Sequence, residues 1–265
     1  VLSGGGAKRL CILGALQALQ DLKKLECSNV KTFIGTSIGS VISYFLCIGY
    51  TPMELVVWLC SHPVLESMTL NQFDGIIKGD GIYNYSILNK IYEEMTREKM
   101  DFIPTMRTIK ERFGKDLTIC SYNFTKKESV YINHLTHPDL SCLDAIRMSC
   151  NLPFIFSPFW YNGCEYIDGG IVENFSFTSI ANLIHIPTND DLSGLVSVQI
   201  NVKHSHPNIC GICIDNDVVH SSDEISGLNA NDDELHKKYN KLTTVLDKMY
   251  DLLMIPISTY EHEMI

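Results

Sequence analysis

The sequence VLSGGGAKR at residues 1–9 places three consecutive glycines directly before an amphipathic segment. Leucine recurs every third residue in that segment, with polar residues in the gaps, at positions 10, 13, 16, 19 and 22. This pattern predicts a helix that begins just after the glycines. A helix N-terminus presents unpaired backbone N–H groups and can hold an anion, and glycine allows close approach to the backbone. We therefore expect an anion to bind at Gly4, Gly5 and Gly6.

Composition favours one large globular domain. The chain has 265 residues, of which 45% are apolar and 20% are charged, and its net charge is −10. An acidic chain argues against nucleic acid as the main partner, and it has no long-range attraction to anionic membranes. No apolar run reaches the roughly 18 residues of a membrane-spanning helix, and no signal peptide is visible.

Cysteine usage indicates a reducing compartment. Ten cysteines are scattered along the chain, and those in apolar segments, such as Cys11, Cys47 and Cys60, are expected to be buried thiols. We therefore expect a cytoplasmic protein, with secretion or delivery into a host as the alternative.

The stretch HSHPNICGIC at residues 204–213 is the densest group of thiols and imidazoles. It could bind zinc through His204, His206, Cys210 and Cys213, or its CGIC pair could be a redox motif. Because no second CxxC is present, we favour a loop with incidental thiols, and we predict no metal and no cofactor.

Strand and helix patterns alternate in the first fifty residues. Residues 30–35 have the pattern of a strand, and the residues after them have that of a helix. With the strand end and helix predicted at the start of the chain, the order is strand, helix, strand, helix, which predicts a parallel βαβ unit. Residues 41–60 predict two helices that meet at a GYTP turn. Further strands are predicted at 116–125, 129–134 and 194–202 and within GCEYIDGG, and a helix at 139–150 is capped by Asp139 or Ser141.

The remaining segment is polar, then helical. Residues 207–234 carry seven acidic residues and no lysine or arginine, which predicts a surface loop or insertion. A C-terminal helix is predicted over 235–255. We find no internal repeat and no clear boundary, and so predict one domain over residues 1–265.

The stretch GTSIG at residues 35–39 lies between a predicted strand and a predicted helix. This is the nucleophile elbow pattern, in which Gly35 and Gly39 permit a tight turn and Ser37 follows Thr36 at the carboxyl edge of a sheet. The alternative is a turn of small residues in which Ser37 caps the helix.

A serine nucleophile needs a base, and two arrangements are open. Asp168 in YIDGG ends a predicted strand, and Gly169 and Gly170 would turn the backbone away from the carboxylate. Among the nine histidines, His185 fits the order Ser, Asp, His of a triad best. By itself, the Asp168 stretch also fits an ordinary Asp–Gly turn.

Taken together, GGGAKR, GTSIG and DGG resemble the patatin-like phospholipase family in order and spacing. A fourth stretch, AIRMSCNLPFIFSP at 145–158, looks like the segment that precedes the aspartate in this family. The resemblance covers residues 1–202. It implies an α/β fold, specifically a patatin-like three-layer α/β/α sandwich with a mostly parallel central sheet.

The resemblance also implies a mechanism. Ser37 would be the nucleophile, Asp168 the base of a dyad without histidine, and the amides of Gly4, Gly5 and Gly6 the oxyanion hole. The implied activity is hydrolysis of lipid esters through an acyl-serine, of phospholipase A or lysophospholipase type, on phospholipid or another lipid ester. The resemblance also implies peripheral association with a membrane surface. As some relatives need a protein activator, an activator is a further expected partner.

Several positions refine or depart from the family pattern. Lys8 would add positive charge near lipid phosphate. Arg9 stands where the family has glycine, and Ser176 stands where it has proline, whereas Asn174 fits the pattern.

Three other functions are open. An esterase of the α/β-hydrolase type would use Ser37, Asp168 and His185. A nucleotide-binding module is disfavoured because VLSGGGAKR lacks the G-K-[ST] of a P-loop. An inactive patatin-like scaffold is disfavoured because both catalytic residues are present. The apolar residues 154, 156, 159 and 160 are expected either to touch membrane or to pack in the core.

Overall fold

The computed structural model describes residues 1–6, 9–61, 81–174, 194–197 and 205–212. The helices are α1 (Arg9–Asp21), α2 (Ile38–Cys47), α3 (Pro52–Ser61), α4 (Ser86–Lys99), α5 (Met106–Phe113) and α6 (Cys142–Ser149). The strands are β1 (Thr32–Thr36), β2 (Asp116–Asn123), β3 (Glu128–Ile132), β4 (Phe159–Tyr161), β5 (Cys164–Asp168), β6 (Gly194–Ser197) and β7 (Ser205–Gly211). Short 3-10 turns cover Cys27–Asn29 and Gly169–Ile171.

The predicted βαβ unit is confirmed at the start of the chain. Leu2 pairs in parallel with Gly35 of β1, and α1 lies between them in sequence. The N–H of Leu2 donates to the carbonyl oxygen of Ile34 over 2.8 Å, and the N–H of Thr36 donates to the carbonyl oxygen of Leu2 over 3.2 Å. The stretch before the glycines therefore runs beside β1.

Helix α1 begins directly after the glycine stretch, as predicted, but its buried face differs from the leucine repeat. Ile12, Leu13 and Leu16 are buried, whereas Leu10 and Leu22 are 48% and 68% exposed. A spacing of three residues drifts away from the helical period of 3.6, so Leu10 is rotated out of the interface. Leu22 lies beyond the end of α1.

Strand β2 has both parallel and antiparallel partners. Strand β1 pairs in parallel with β2, while β3 and β5 pair with β2 antiparallel and β4 pairs with β5 antiparallel. On the other side of β1, Leu2 also pairs in parallel with Ile212, which follows β7, and β6 pairs in parallel with β7. The α/β class is confirmed, with a mixed sheet in the described part of the chain.

Strands β1 and β5 share one edge of β2. Both β3 and β5 pair with residues 121–123 of β2, so they lie on opposite edges of that strand. Both β1 and β3 pair with Ile119 and Cys120, so these two also lie on opposite edges. The carboxyl ends of β1 and β5 therefore meet end to end along β2.

Both faces of β1 are buried, as a sheet with cover on each face requires. Phe33 packs in the main core with residues of α1, α2, α3, α5 and α6, and Ile34 packs with Cys120 in a separate small cluster. Helix α2 is buried from residue 39 to residue 47, and it packs on β1 and β2. This burial accounts for the apolar character of α2. Residues 41–60 form α2 and α3 as predicted.

No helix among the residues described has the length and apolar character needed to cross a bilayer.

One helix cap and one turn show how local sequence determines where helices and strands end. Ser141 rather than Asp139 caps α6, because its hydroxyl accepts from the N–H groups of Leu143 and Asp144. The turn between β2 and β3 contains Lys127 at φ 59°, between the two strands predicted at 116–125 and 129–134.

Some expectations on cysteine-rich segments are wrong. Residues 205–211 form β7 rather than a loop, since they pair with β6. Cys47 is buried, but Cys11 and Cys60 are exposed on α1 and α3. Apolar sequence neighbours do not bury these two thiols, because a helix of a layered fold turns only one face inward.

Several predicted features lie outside the described residues. The histidine of the alternative triad, His185, is one of them, as are two of the four zinc candidates, His204 and Cys213. The acidic segment from residue 213 to 234 and the predicted C-terminal helix over 235–255 are the others. Lys8 and Ser176 also lie outside them.

Candidate active site

The turn between β1 and α2 has the geometry of a nucleophile elbow. Ser37 follows β1 directly and has φ 52° and ψ −124°, a backbone conformation that is costly for a residue with a side chain. A Cβ at Gly35 would collide with the carbonyl of Gly39, and a Cβ at Gly39 would collide with the carbonyl of Leu2. Glycine is therefore required at both positions, because strand, turn and helix approach too closely for a side chain.

The hydroxyl of Ser37 does not cap α2. It donates instead to Oδ2 of Asp168 over 2.6 Å. Asp168 ends β5 and is 2% exposed, and its other carboxylate oxygen, Oδ1, accepts from the N–H of Gly170 over 2.7 Å. The structure thus brings together the two residues that the sequence proposed as nucleophile and base.

Burial governs the electrostatics of this pair. Burial away from water raises the pKa of Asp168 from 3.8 to about 6. The hydrogen bonds from Ser37 and Gly170 favour the carboxylate and lower this pKa, but their effect is smaller than that of burial. Within the described ranges, Asp168 forms no ion pair with lysine, arginine or histidine. The carboxylate is consequently a stronger proton acceptor than an ordinary aspartate while still ionised at neutral pH.

The glycine segment lies directly beside Ser37. A Cβ at Gly4 would collide with Oδ1 of Asn174 and would lie 3.2 Å from Cβ of Ser37. However, the N–H of Gly4 donates to the carbonyl oxygen of Asn174 over 3.2 Å. The amide of Gly4 is therefore engaged in this structure, and binding of an oxyanion by the amides of Gly4, Gly5 and Gly6 stays a prediction.

The other glycines of the motifs are explained by backbone conformation and by close approach of backbone segments. Gly6 has φ +47°, where glycine is favoured. A Cβ at Gly169 would lie 2.7 Å from the carbonyl oxygen of Cys120, so that glycine lets β5 end close to β2. Arg9 is the first residue of α1, and a helical backbone does not require the glycine found there in the family.

Sequence reasoning gave no role to the residues that follow Met148. Ser149 and Asn151 are both buried and both bond to the backbone at the site. The thiol of Cys150 lies 4.0 Å from Oγ of Ser40. Burial and the charge of Asp168 raise the pKa of that thiol, so it stays protonated and does not compete with Ser37 as a nucleophile. Only the family-like stretch 145–158 pointed to this segment.

The four aromatic residues near the site divide into two pairs. Phe154 and Trp160 are 63% and 60% exposed, whereas Phe156 is buried and Phe159 is half-buried against the core. The guanidinium of Arg147 lies over the ring of Tyr85 and near those of Phe156 and Phe159. The exposed pair therefore consists of Phe154, in the loop after α6, and Trp160, on β4.

In the part of the chain that the structure describes, no three His, Cys, Asp or Glu side chains are placed so as to hold a metal ion.

Comparison with known proteins gives the family. The model of the patatin-like phospholipases matches residues 1–180. A protein of Invertebrate iridescent virus 6 named "Probable lipid hydrolase 463L" is 36% identical over 178 residues, covering 66% of this chain and 60% of that protein. An uncharacterized protein of Acanthamoeba polyphaga mimivirus is 28% identical over 179 residues, covering 67% of this chain and 59% of the relative.

A solved structure is also similar. The crystal structure of VipD from Legionella pneumophila aligns with a TM-score of 0.42 and 20% identity, covering 64% of this chain and 45% of that one. The chain spans about 60% of the length of the viral relatives it matches. Since the family model covers more than half of the chain and includes the glycine segment, the elbow and the aspartate, this chain belongs to the patatin-like phospholipase family.

Proposed function

We propose that this protein is a lipid acyl hydrolase that cleaves carboxylic esters of phospholipids or lysophospholipids with a Ser37–Asp168 dyad. The observation that carries the proposal is the direct hydrogen bond of 2.6 Å from Oγ of Ser37 to Oδ2 of Asp168. In a triad, a histidine would stand between a serine and its aspartate. Here the carboxylate itself is within reach of the proton that it would accept.

The chemistry follows in two halves. Oγ of Ser37 attacks the ester carbonyl carbon while its proton passes to Oδ2 of Asp168. The tetrahedral oxyanion then collapses, the ester C–O bond breaks, and Asp168 returns the proton to the leaving alcohol. In the second half Asp168 takes a proton from water, the hydroxide attacks the acyl carbon, and the fatty acid leaves as Ser37 regains its proton.

The oxyanion would be bound by the amides of Gly5 and Gly6. Gly4 is adjacent to Ser37 but its amide already bonds to Asn174. We therefore assign Gly4 to close packing rather than donation. Each oxyanion donor of this kind contributes on the order of 3 kcal/mol to transition-state stabilisation. Lys8, which follows directly in the sequence, would place positive charge near a lipid phosphate.

Lipid as substrate is supported by the family and by the name of the iridovirus relative. Two exposed aromatic side chains, Phe154 and Trp160, lie on the segment between α6 and β5 that leads to the aspartate. Such residues favour a membrane–water interface, so we propose that the protein acts peripherally at a membrane as one domain.

The test is fatty-acid release from phosphatidylcholine vesicles. We expect the parent to be active, and Ser37→Ala and Asp168→Asn to lose activity while remaining folded by circular dichroism. His185→Ala is the control that separates a dyad from a triad, and we expect it to keep parental activity. A parent that releases no fatty acid, or a Ser37→Ala variant that still does, would contradict the proposal, and an inactive His185→Ala variant would favour the triad esterase.

A further inference from the structure

The C-terminal end of α6 lies beneath the point where β1 and β5 meet. Ser149, the last residue of α6, is fully buried. Its Oγ accepts a hydrogen bond of 2.8 Å from the N–H of Ser37 and donates one of 2.5 Å to the carbonyl oxygen of Cys120. One hydroxyl thus bridges the nucleophile and the strand that pairs with β1 and β5.

The backbone of Ser37 needs such support. Its φ of 52° lies in a region that a residue with a side chain adopts only where the surrounding structure holds it there. The hydroxyl of Ser40 donates to the carbonyl oxygen of Ser37 over 2.6 Å, so α2 holds one side of the turn. Ser149 holds the other side from a separate helix, through the N–H.

The same segment also holds the base. The carbonyl oxygen of Asn151 accepts from the N–H of Asp168 over 2.9 Å. The Nδ2 group of Asn151 donates to the carbonyl oxygen of Tyr166 over 2.7 Å. Because only Cys150 separates Ser149 from Asn151, three consecutive residues link the backbone of the proposed nucleophile to that of the proposed base.

Resting on the proposed Ser37–Asp168 dyad, we infer that Ser149 is a positioning residue that fixes the backbone of Ser37 so that its Oγ meets Asp168. It also follows that the amide of Ser37 is not an oxyanion donor. That amide already bonds to Oγ of Ser149. Ser149 itself touches neither substrate nor the transferred proton.

The experiment measures how fast an alkyl fluorophosphonate labels Ser37, by intact mass, across pH 4.5–8.5. In this reaction Oγ of Ser37 bonds to phosphorus, fluoride leaves, and the serine proton passes to Asp168, so the choice of lipid does not matter. For Ser149→Ala we expect labelling to fall by about tenfold or more, because the nucleophile is no longer held in place. The acid limb of the profile should move up by about half a pH unit or more, because a weaker bond from Ser37 no longer favours the Asp168 carboxylate.

Three further variants separate positioning from simple loss of stability. Thr96→Val is the matched control: the Thr96 hydroxyl is also fully buried and also makes two hydrogen bonds, to Tyr44 and to the carbonyl oxygen of Tyr92. It should lower Tm and leave the labelling profile of the folded protein unchanged. Ser149→Thr keeps the hydroxyl and should restore the acid limb. Ser149→Cys has a side chain of similar size whose thiol is a weaker hydrogen-bonding group than the hydroxyl. If Ser149→Ala does not fold, the same labelling profile is measured on Ser149→Cys.

The outcomes are distinct. An unchanged acid limb and labelling rate in Ser149→Ala, with only Tm lowered, would overturn the positioning role and leave the dyad intact. If the parent is not labelled at Ser37, the proposed function itself fails and the positioning role fails with it.

Discussion

Thr36 and Asp168 lie opposite neighbouring residues of one strand: Thr36 pairs with Cys120 of β2 and Asp168 pairs with Ser121. Strand β1 runs parallel to β2 and β5 runs antiparallel, so their carboxyl ends converge on the same point of β2. Ser37 follows Thr36 directly, which places its hydroxyl within 2.6 Å of a carboxylate that is 131 residues away in sequence.

The pH dependence of catalysis should follow Asp168. A general base must be deprotonated, and burial raises the pKa of this carboxyl to about 6. We expect kcat/KM for a soluble short-chain ester to fall about tenfold per pH unit below that pKa and to level off above pH 7. A profile that stays flat down to pH 4.5 would show that Asp168 is not the base.

Ionised Asp168 should also reduce stability. Its folded pKa lies above its ordinary value of 3.8, so the stability that it contributes is present at low pH and is lost as the pH rises through about 6. The shift corresponds to at most about 3 kcal/mol, at about 1.4 kcal/mol per pH unit. Asp168→Asn should therefore be inactive, yet have a Tm several degrees above that of the parent at pH 8 and a similar Tm near pH 4.

The matched control for this stability effect is Asp139→Asn. The side chain of Asp139 is 84% exposed and pairs with Arg107 at the surface, where such pairs contribute little. Its Tm should track the parent at both pH values. A Tm for Asp168→Asn at or below the parental one at pH 8 would show that the carboxylate is better compensated than its burial indicates.

Gly4 should not tolerate a side chain. Its added Cβ would collide with Asn174 and press against Cβ of Ser37, so Gly4→Ala should lower ester hydrolysis by about a hundredfold or more, as misplaced reacting groups do. Gly14→Ala is the control, because a Cβ there meets nothing within 4 Å and lies inside α1. That change should keep activity and raise stability by up to about 1 kcal/mol. Equal activities in the two variants would remove the argument for close approach at Gly4.

Phe154 should contribute to membrane binding and not to chemistry. It is 63% exposed, so Phe154→Ser should weaken sedimentation with phosphatidylcholine vesicles several-fold while hydrolysis of a soluble ester stays at the parental rate. Leu135→Ser changes a side chain that is 78% exposed on the loop after β3 and should leave vesicle binding unchanged. If both variants bind as the parent does, the loop at Phe154 is not a membrane contact.

Local features of the site could be predicted from sequence because they depend on neighbouring residues. The elbow needs glycine at positions 35 and 39, since the turn brings backbone against backbone there. The start of α1 and the hydroxyl cap at Ser141 likewise follow from residues a few positions apart. The places where local reasoning is wrong, such as exposed Leu22 or the strand at 205–211, depend on which neighbour an element meets.

The sequence by itself determined which residues are present at the site: the glycine segment, Ser37 on a strand-to-helix turn, and Asp168 before two glycines. Only the tertiary structure decided that β1 and β5 share one edge of β2, that Ser149 takes the amide of Ser37, and that the amide of Gly4 is already engaged. Strand partners and edges are set by burial summed over the whole sheet, and a short motif holds no information on them. The distance of 2.6 Å between Oγ of Ser37 and Oδ2 of Asp168 is therefore a property of the fold, although the sequence alone singles out both residues as the proposed nucleophile and base.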